Sequence, residues 1–296
     1  MKYLYYTGCV IPYRAPNYDL SSRRVLEHLG VELVDMPNAG CCGIYVRQVD
    51  EFKSMVLSAR IWTLAEDEGL DILSPCPGCV STLLHVRDRL LMDDNLREKV
   101  NTDLAEIGRN FRGTQDVKHL LKVLDHDIGL DSIRSSIVQP LQSELAAHYG
   151  CHLVRPAHEL DFEDPEIPDI IDRLIEITGA KSVSYPDKMG CCGMNVHGND
   201  TIKASMAGHK LLDVKSAGAQ ALVTSCPACY LALGLNQRVA EKEWDQEFDM
   251  PLMHLPQVLG LALGLQPQEL GLELNRPKIN LIQFGIKTNG GTSSES

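Results

Sequence analysis

The 296-residue sequence has no apolar stretch long enough to cross a membrane and is poor in basic residues. The apolar run near its end, 258–265, is interrupted by Gly260 and Gly264 and falls far short of the roughly 20 residues that a spanning helix needs. Lys and Arg total 28 against 40 Asp and Glu, and this net charge of −12 argues against a nucleic-acid partner. The first ten residues contain no signal-peptide core. We therefore expect a cytoplasmic protein, alone or within a membrane-associated complex.

The sequence also lacks the glycine-rich motifs that cradle phosphates. Neither Gly-x-Gly-x-x-Gly nor a P-loop occurs, so we expect this chain to bind neither flavin nor nucleotide. Any electrons that the protein uses would therefore come from another protein.

Cysteine, in contrast, is abundant, with ten residues in an acidic chain. Reducing conditions disfavour structural disulfides, so metal binding or redox chemistry is the better interpretation. The cysteines form two sets, each made of a lone cysteine, an adjacent pair and a Cys-x-x-Cys motif. The first set comprises Cys9, Cys41, Cys42, Cys76 and Cys79, and the second comprises Cys151, Cys191, Cys192, Cys226 and Cys229.

The two cysteine sets indicate an internal duplication. In both sets the adjacent pair stands in Gly-Cys-Cys-Gly, and its second cysteine lies 34 positions before the Cys-x-x-Cys motif. Such a repeat predicts two similar domains related by a pseudo-twofold axis. We expect an N-terminal domain over 1–140, with a helical insertion at about 94–139, and a C-terminal domain over 141–287. A disordered tail is expected over 288–296.

Strand and helix patterns alternate in both halves, which predicts an α/β fold with a mainly parallel sheet in each domain, flanked by helices. Strands are predicted at 2–6, 31–34, 71–73, 145–149, 182–185 and 221–224. Helices are predicted at 20–29, 51–68, 167–177 and 201–216. Every cysteine motif then follows a strand. Because ligands collect at the carboxyl ends of parallel strands, we expect the five cysteines of each set to converge on one site.

Five thiolates at one site suit an iron–sulfur cluster better than zinc. Tetrahedral zinc takes four ligands and would leave one thiolate over, whereas clusters take cysteine ligands in larger number. Pro77 and Pro227 fit the first turn of a helix, whose N-terminal amides stabilise thiolates. Strain disfavours a vicinal disulfide, and the three further cysteines of each set disfavour a thioredoxin-like role. Zinc in one of the sites stays open as the alternative.

The doubled pattern resembles the cysteine-rich CCG domains of the heterodisulfide reductase B-subunit family, over about 1–265. The residues that carry the resemblance are all ten cysteines, Gly8-Cys9 followed by Pro12, Arg14 and Pro16, and Tyr149-Gly150-Cys151-His152 followed by Arg155-Pro156. After the two Cys-Cys-Gly motifs the sequence continues with Ile44-Tyr45 and Met194-Asn195, where the methanogenic enzymes have a proline-rich segment. This departure leaves the substrate open.

The resemblance implies two noncubane [4Fe-4S] clusters, one bound by each set of five cysteines. They would face each other across the domain interface, a disulfide would enter between them, and each cluster would deliver one electron to one sulfur. The resemblance also implies partner subunits, a C subunit with cubane [4Fe-4S] clusters and a flavin-containing A subunit that feeds it.

Several other side chains are candidates for roles near the cysteines. His152, next to Cys151, is the candidate catalytic residue, since it can donate a hydrogen bond to a cluster sulfur or a substrate thiolate; a surface histidine is the alternative. His119 and His254 recur on apolar helix patterns and are interpreted as core or cap residues. The candidates for binding an anionic thiol cofactor, with solvated charges as the alternative, are Arg14, Arg47, Arg155 and His197.

The sequence therefore predicts the catalytic B subunit of a heterodisulfide reductase-like complex. This iron–sulfur oxidoreductase would cleave or form a disulfide, of the CoM-S-S-CoB type or with another thiol or persulfide substrate. One alternative is an electron-transfer or quinone-linked subunit of a membrane dehydrogenase, for which 259–265 is the candidate membrane-facing patch. The other alternative is a structural subunit with zinc or a single cluster.

Overall fold

The computed structural model describes residues 1–36 and 38–286, and the predicted disordered tail, 288–296, lies outside the described residues. The chain forms two four-stranded parallel sheets flanked by helices, so the predicted α/β class is confirmed. Over the described residues, no helix is both long and apolar enough to cross a membrane.

The two sheets have the same construction. The strands of the first sheet are β1 (Lys2–Tyr5), β2 (Glu32–Asp35), β3 (Ile72–Ser74) and β4 (Val117–His119). Those of the second sheet are β5 (Glu144–His148), β6 (Lys181–Val183), β7 (Ala221–Thr224) and β8 (Leu252–His254). The spatial orders are β2-β1-β3-β4 and β6-β5-β7-β8. Each half therefore reverses its strand order beside its first strand, which is the topological switch point where α/β sheets bind ligands.

The helices also recur in the two halves. The helices before β5 are α1 (Ile11–Arg14), α2 (Pro16–His28), α3 (Glu51–Glu68), α4 (Pro77–Met92), α5 (Asp94–Ala105), α6 (Leu120–Lys122), which continues as a π-helical turn over Val123–Ile128, and α7 (Leu130–Ser135). The later helices are α8 (Cys151–Val154), α9 (Ala157–Leu160), α10 (Ile170–Glu176), α11 (Asp200–Ser216), α12 (Pro227–Trp244) and α13 (Leu255–Ala262). Short 3₁₀ turns cover Val46–Gln48, Leu272–Leu274 and Leu281–Phe284.

The long helices α3 and α11 begin at equivalent side-chain caps. Asp50 accepts a hydrogen bond from the amide of Lys53, and Asn199 accepts one from the amide of Ile202. Such caps satisfy backbone donors that the first helical turn leaves free. α3 ends at Gly69, whose φ of +64° is the left-handed conformation that terminates a helix.

Alternate side chains of each strand pack on opposite faces of the sheet. In β1, Tyr5 enters a core that is shared by both halves, whereas Leu4 enters a second core built almost wholly from the first half. In β5, Ala147 enters the shared core and Ala146 enters a third core, in the second half. Because one core draws on both sheets, the two halves pack directly against each other.

Two short strands, β4 and β8, were not predicted from the sequence. Each has only three residues, too few for a recognisable periodicity. The segment 94–139 is therefore not wholly a helical insertion, since it contains the fourth strand of the first sheet. His119 and His254 lie at the ends of these strands and not within helices, and each is the residue before the next helix. The cap interpretation is confirmed for His119, whose Nδ1 accepts a hydrogen bond from the amide of Leu121 at 3.2 Å.

The segment 259–265 lies in the interior and does not form a membrane-facing patch. Leu259, Leu261 and Leu263 are buried in the shared core, because α13 packs against α2 and α10. The candidate membrane-facing patch from the sequence is therefore wrong.

The imidazole of His254 lies in an aromatic stack between the two halves. Its ring is parallel to that of Tyr18 with centroids 4.0 Å apart, and the Tyr230 ring is 4.2 Å away on a tilted plane. The side chain faces the backbone amide of Gln257 at the start of α13, but neither ring nitrogen forms a hydrogen bond of good geometry among the described residues. Burial lowers the pKa of His254 well below its usual range, so the ring is neutral at neutral pH.

Replacing His254 by Phe is expected to stabilise the protein, because the stack is kept and two unpartnered nitrogens are removed. We expect the free energy of unfolding at pH 7.5 to rise by about 1–3 kcal/mol. Below pH about 6.5 His254 is protonated in the unfolded chain but stays neutral in the folded chain. This difference lowers the free energy of unfolding as pH falls. Between pH 6.5 and 5.5 the free energy of unfolding should therefore fall less steeply in H254F than in the wild type, by up to about 1.4 kcal/mol per pH unit. Guanidinium unfolding at pH 7.5 and 5.5 measures both effects.

The matched control is His119→Phe at the equivalent position of the first half. His119 Nε2 contacts the carbonyl oxygen of Pro75 at 3.1 Å, and its Nδ1 accepts from Leu121. H119F should therefore be less stable than the wild type at pH 7.5. Equal losses of stability in H254F and H119F would contradict the assignment of unpartnered nitrogens to His254.

Candidate functional site

The cysteine motifs lie at the carboxyl ends of the parallel strands. The lone cysteines, Cys9 and Cys151, follow β1 and β5, and the adjacent pairs follow β2 and β6. The Cys-x-x-Cys motifs follow β3 and β7. The prediction that every cysteine motif follows a strand is therefore confirmed, and the loops of each half meet at its switch point.

The Cys-x-x-Cys motifs open the helices α4 and α12. Cys76 precedes the first turn of α4 and Pro77 is its first residue, and Cys226 and Pro227 take the same places in α12. This confirms the predicted placement of the prolines, which need no amide hydrogen there. A hydrogen bond from the Cys79 thiol, and then the amides at the start of α4, lower the pKa of Cys76. The helix start is thus a favourable place for a thiolate.

The adjacent pairs turn sharply at the glycine that follows them. Gly43 has a φ of +92° and Gly193 a φ of +81°, values in the left-handed region that favours glycine. In each turn the glycine amide donates to the first cysteine of the pair, and the nitrogen–sulfur distance is 3.4 Å in both halves. The turn therefore aims backbone donors at the sulfurs.

In each half, a basic residue 18 positions after the adjacent cysteine pair forms hydrogen bonds to the loop that precedes the pair. We did not predict this role from the sequence. The guanidinium of Arg60, on α3, donates to the carbonyl oxygens of Asn38 and Ala39 at 2.6 Å. The ammonium of Lys210, fully buried on α11, donates to the carbonyl oxygen of Asp187 and lies 3.1 Å from its carboxylate. The shared offset of these two basic residues is the signal that could have revealed them.

Neighbouring thiols within each set shift one another's pKa values, because their sulfurs lie close together. In the first set the Sγ atoms of Cys9 and Cys41 are 3.8 Å apart. Hydrogen bonds from the thiols of Cys42 and Cys9 lower the pKa of Cys41, and the bond with Cys41 raises that of Cys9. In the second set, a hydrogen bond between Cys191 and Cys192 raises the pKa of Cys191 and lowers that of Cys192.

The mutual pKa shifts indicate that the five thiols of a set cannot all lose their protons without a bound cation. Five thiolates so close together repel one another, so bound cations are needed before all of them can lose their protons. Sulfur donors of this kind select soft metal centres, above all iron–sulfur clusters and zinc. The donor set therefore fits an iron–sulfur group.

Both cysteine sets face one cavity between the halves. Its lining includes every cysteine except Cys41. Apolar side chains from the two segments that follow the adjacent pairs, Ile44 and Met194, complete part of the wall. The cavity can therefore admit a small molecule to both sets at once.

Two of the residues singled out from the sequence line this cavity, namely His152 and Arg47. The Nδ1 atom of His152 is 3.7 Å from the Sγ atom of Cys151. Burial, and then the positive charge of Arg47, lower the pKa of His152, so its imidazole is neutral at neutral pH. The cavity thus offers one cation and one neutral hydrogen-bonding ring.

Three other predicted residues are not part of the cavity lining among the described residues. Arg155 donates to the carbonyl oxygen of Pro165 and pairs with Glu166 at 3.1 Å. Arg14 lines a separate cavity beside Tyr230. His197 belongs to the exposed segment after the second pair. The structure therefore does not bring these three residues to the cysteines.

A comparison with protein-family models finds the CCG cysteine-rich domain twice, at 3–84 and 145–234, and the two matches contain all ten cysteines. The B subunit of the ferredoxin/F420H2-dependent CoB-CoM heterodisulfide reductase of Methanosarcina acetivorans is 36% identical, over 95% of each chain. The chain belongs to the heterodisulfide reductase B-subunit family. The resemblance inferred from the cysteine pattern is thereby confirmed.

Other relatives of this heterodisulfide reductase B-subunit family chain carry different names. The B subunit of the ferredoxin:CoB-CoM heterodisulfide reductase of Methanosarcina mazei is 34% identical over 91% of this chain and 92% of its own. The 8-methylmenaquinol:fumarate reductase membrane anchor subunit of Wolinella succinogenes is 30% identical over 93% of this chain and 96% of its own. A hypothetical protein of Helicobacter pylori shares the fold, with a TM-score of 0.72 over 95% of this chain and 52% of its own, at 15% identity.

Proposed function

We propose that this chain is the catalytic B subunit of a heterodisulfide reductase-like complex, which cleaves or forms a disulfide at two facing noncubane [4Fe-4S] clusters. The observation that carries the proposal is the single cavity lined by cysteines of both sets. A site that served only to hold structural zinc would need no common opening between the two halves. The sequence similarity to heterodisulfide reductase B subunits supports the same reaction.

Each set of five cysteines would hold one cluster. The proposed ligands of the first cluster are Cys9, Cys41, Cys42, Cys76 and Cys79, and those of the second are Cys151, Cys191, Cys192, Cys226 and Cys229. When bound, the clusters would supply one electron each. Reduction of a disulfide consumes two electrons and two protons and gives two thiols, so two one-electron sites match the reaction. The need for two one-electron sites would explain why the cysteine-rich domain is duplicated.

The proposed roles of the cavity side chains follow from their charge and position. Arg47 would bind an anionic group of the substrate, because a guanidinium offers several donors in a fixed plane. His152, the candidate catalytic residue, would donate a hydrogen bond to a substrate sulfur from its place beside Cys151. Ile44 and Met194 would limit the access of water to the reacting sulfurs.

The proposed partners supply electrons that this chain cannot obtain from a nucleotide. Its relatives are named as subunits of ferredoxin-dependent heterodisulfide reductases. We propose a C subunit with cubane [4Fe-4S] clusters as the direct donor, which in turn receives its electrons from a flavin-containing A subunit. The absence of glycine-rich nucleotide motifs from the sequence supports this division of labour.

A second candidate function, an electron-transfer subunit of a quinone-linked dehydrogenase, is favoured by one observation. The fumarate reductase anchor subunit of Wolinella succinogenes matches this chain over almost the whole of both sequences. The two candidate functions make different predictions. In a quinone-linked dehydrogenase, a quinone and not a disulfide would reoxidise the reduced protein.

Metal analysis of anaerobically purified protein tests the proposal. We expect about eight irons and as many acid-labile sulfides per chain, with little zinc. Oxidised samples treated with a thiol should show a new EPR signal, and a disulfide should reoxidise the reduced protein faster than a menaquinone analogue does. Zinc, or about four irons, would rule out the two-cluster mechanism. Reoxidation by the quinone alone would favour the second candidate.

A further inference from the structure

His148 is a buried histidine without an evident structural partner. It is the last residue of β5, and only 1% of its surface is exposed. Neither ring nitrogen has a hydrogen-bond partner among the described residues. A buried polar group that is left unpaired destabilises a fold. A hydrogen bond from the ring to a neighbouring group would remove this cost.

The side chains that face His148 are mainly sulfurs. One of its ring nitrogens and the Sγ atoms of Cys192 and Cys229 all lie within 4.8 Å of one another. The charged groups nearby are Lys210 and Asp187, and these two pair with each other. An imidazole carries at least one N–H donor whether it is neutral or protonated. The ring therefore lies beside the sulfurs of two proposed ligands of the second cluster.

The equivalent position of the first half is occupied by Tyr6, since each residue lies three positions before the lone cysteine of its set. Tyr6 is also buried, but its hydroxyl donates to the carbonyl oxygen of Gly40 at 2.9 Å. That donor is therefore engaged by the backbone and is not aimed at a sulfur. A basic side chain holds the loop before the adjacent pair in each half, Arg60 in the first and the buried Lys210 in the second. The histidine is a further difference between the two sites, because the described residues of the first half include no counterpart of its ring beside the sulfurs.

We propose that the imidazole of His148 donates a hydrogen bond to the cysteine sulfurs of the second cluster and gives that cluster the higher reduction potential of the two. The inference rests on the proposed function, because it requires a cluster in each set. Hydrogen bonds to the sulfurs are among the factors that set a cluster's potential, because they stabilise the negative charge added on reduction. The first set has the same five cysteines but lacks this donor.

A redox titration followed by EPR tests the inference on anaerobically purified protein. In the wild type we expect two separate reduction steps. In His148→Phe the step at the higher potential should move down toward the other, which should stay in place. His148→Gln keeps an N–H donor and should fall between H148F and the wild type. The matched control, Tyr6→Phe, removes a hydroxyl at the equivalent position and should leave the higher step unchanged.

Pulsed EPR of protein with ¹⁵N-labelled histidine gives a readout independent of potential. A weak nitrogen coupling is expected for one of the two cluster signals. It should weaken in H148F to the part that His152 contributes from its place beside Cys151, and it should be unchanged in Y6F. Coincident steps in the wild type, or an unshifted upper step and no lost coupling in H148F, would overturn the inference. Iron and sulfide contents of the same samples separate the two proposals, since protein without two clusters would overturn both, whereas intact clusters with equal potentials would overturn this inference alone.

Discussion

Replacing Cys192 by Ser is expected to remove about half of the bound iron and all measurable disulfide turnover. Cys192 is buried and faces the shared cavity, and its equivalent in the first set is Cys42, which is buried as well. Each substitution removes one sulfur from one set only. We therefore expect C42S and C192S each to keep about four irons, and the double variant to keep almost none.

Disulfide turnover should not fall in steps as the iron content does in these variants. If each cluster delivers one of the two electrons, neither cluster can complete the reaction alone. C42S, C192S and the double variant should then lose activity equally, by at least about 100-fold, because residues that act as a unit show strongly non-additive effects. Iron analysis and a disulfide-reduction assay on the same preparations measure both quantities.

The opposite outcome has a clear meaning. A single variant that retains half of the wild-type turnover would show that each cluster works independently, and the facing-cluster mechanism would be wrong. Loss of zinc instead of iron from one variant would identify that set as a structural site. His254→Phe serves as the control, since its ring lies away from the cavity lining and its iron content should be that of the wild type.

The placement of the cysteines could be predicted from the sequence because it depends on local patterns. Each motif follows a short strand, and Pro77 and Pro227 mark helix starts that the structure places where the sequence indicates. Parallel strands bring their carboxyl ends to one edge, so convergence of each set follows from topology alone. The duplication added a second, independent copy of the same pattern.

The remaining features depend on contacts between distant segments. β4 is three residues long and is defined by its pairing with β3, which no local periodicity reveals. Lys210 and Asp187 meet only because α11 packs beside the loop before the second pair. Likewise, the unpartnered ring of His148 becomes evident only when its buried surroundings are known. Sequence patterns report periodicity and motif spacing, whereas burial and pairing require the folded chain.

A substitution at Gly43 is expected to harm the first site far more than the same change harms the second. A Cβ atom at Gly43 would lie 2.7 Å from the carbonyl oxygen of Ser54 and 2.8 Å from its hydroxyl. The Ser54 hydroxyl already donates to the carbonyl oxygen of Gly43 at 2.9 Å, so the turn is fixed against α3. At Gly193 the nearest atoms, in Lys203 and Met206, are 3.6–3.7 Å away, which is ordinary contact.

Gly43→Ala and Gly193→Ala therefore form a matched pair. Both place alanine at a positive φ, which costs about 1–2 kcal/mol. Only G43A adds a collision with the helix backbone, worth about 1–3 kcal/mol more. We expect G43A to lose most of the iron of the first site, because the turn that aims Cys42 must shift, and G193A to retain about eight irons. Equal iron contents and equal unfolding free energies in the two variants would show that the collision is relieved without displacing the cysteines.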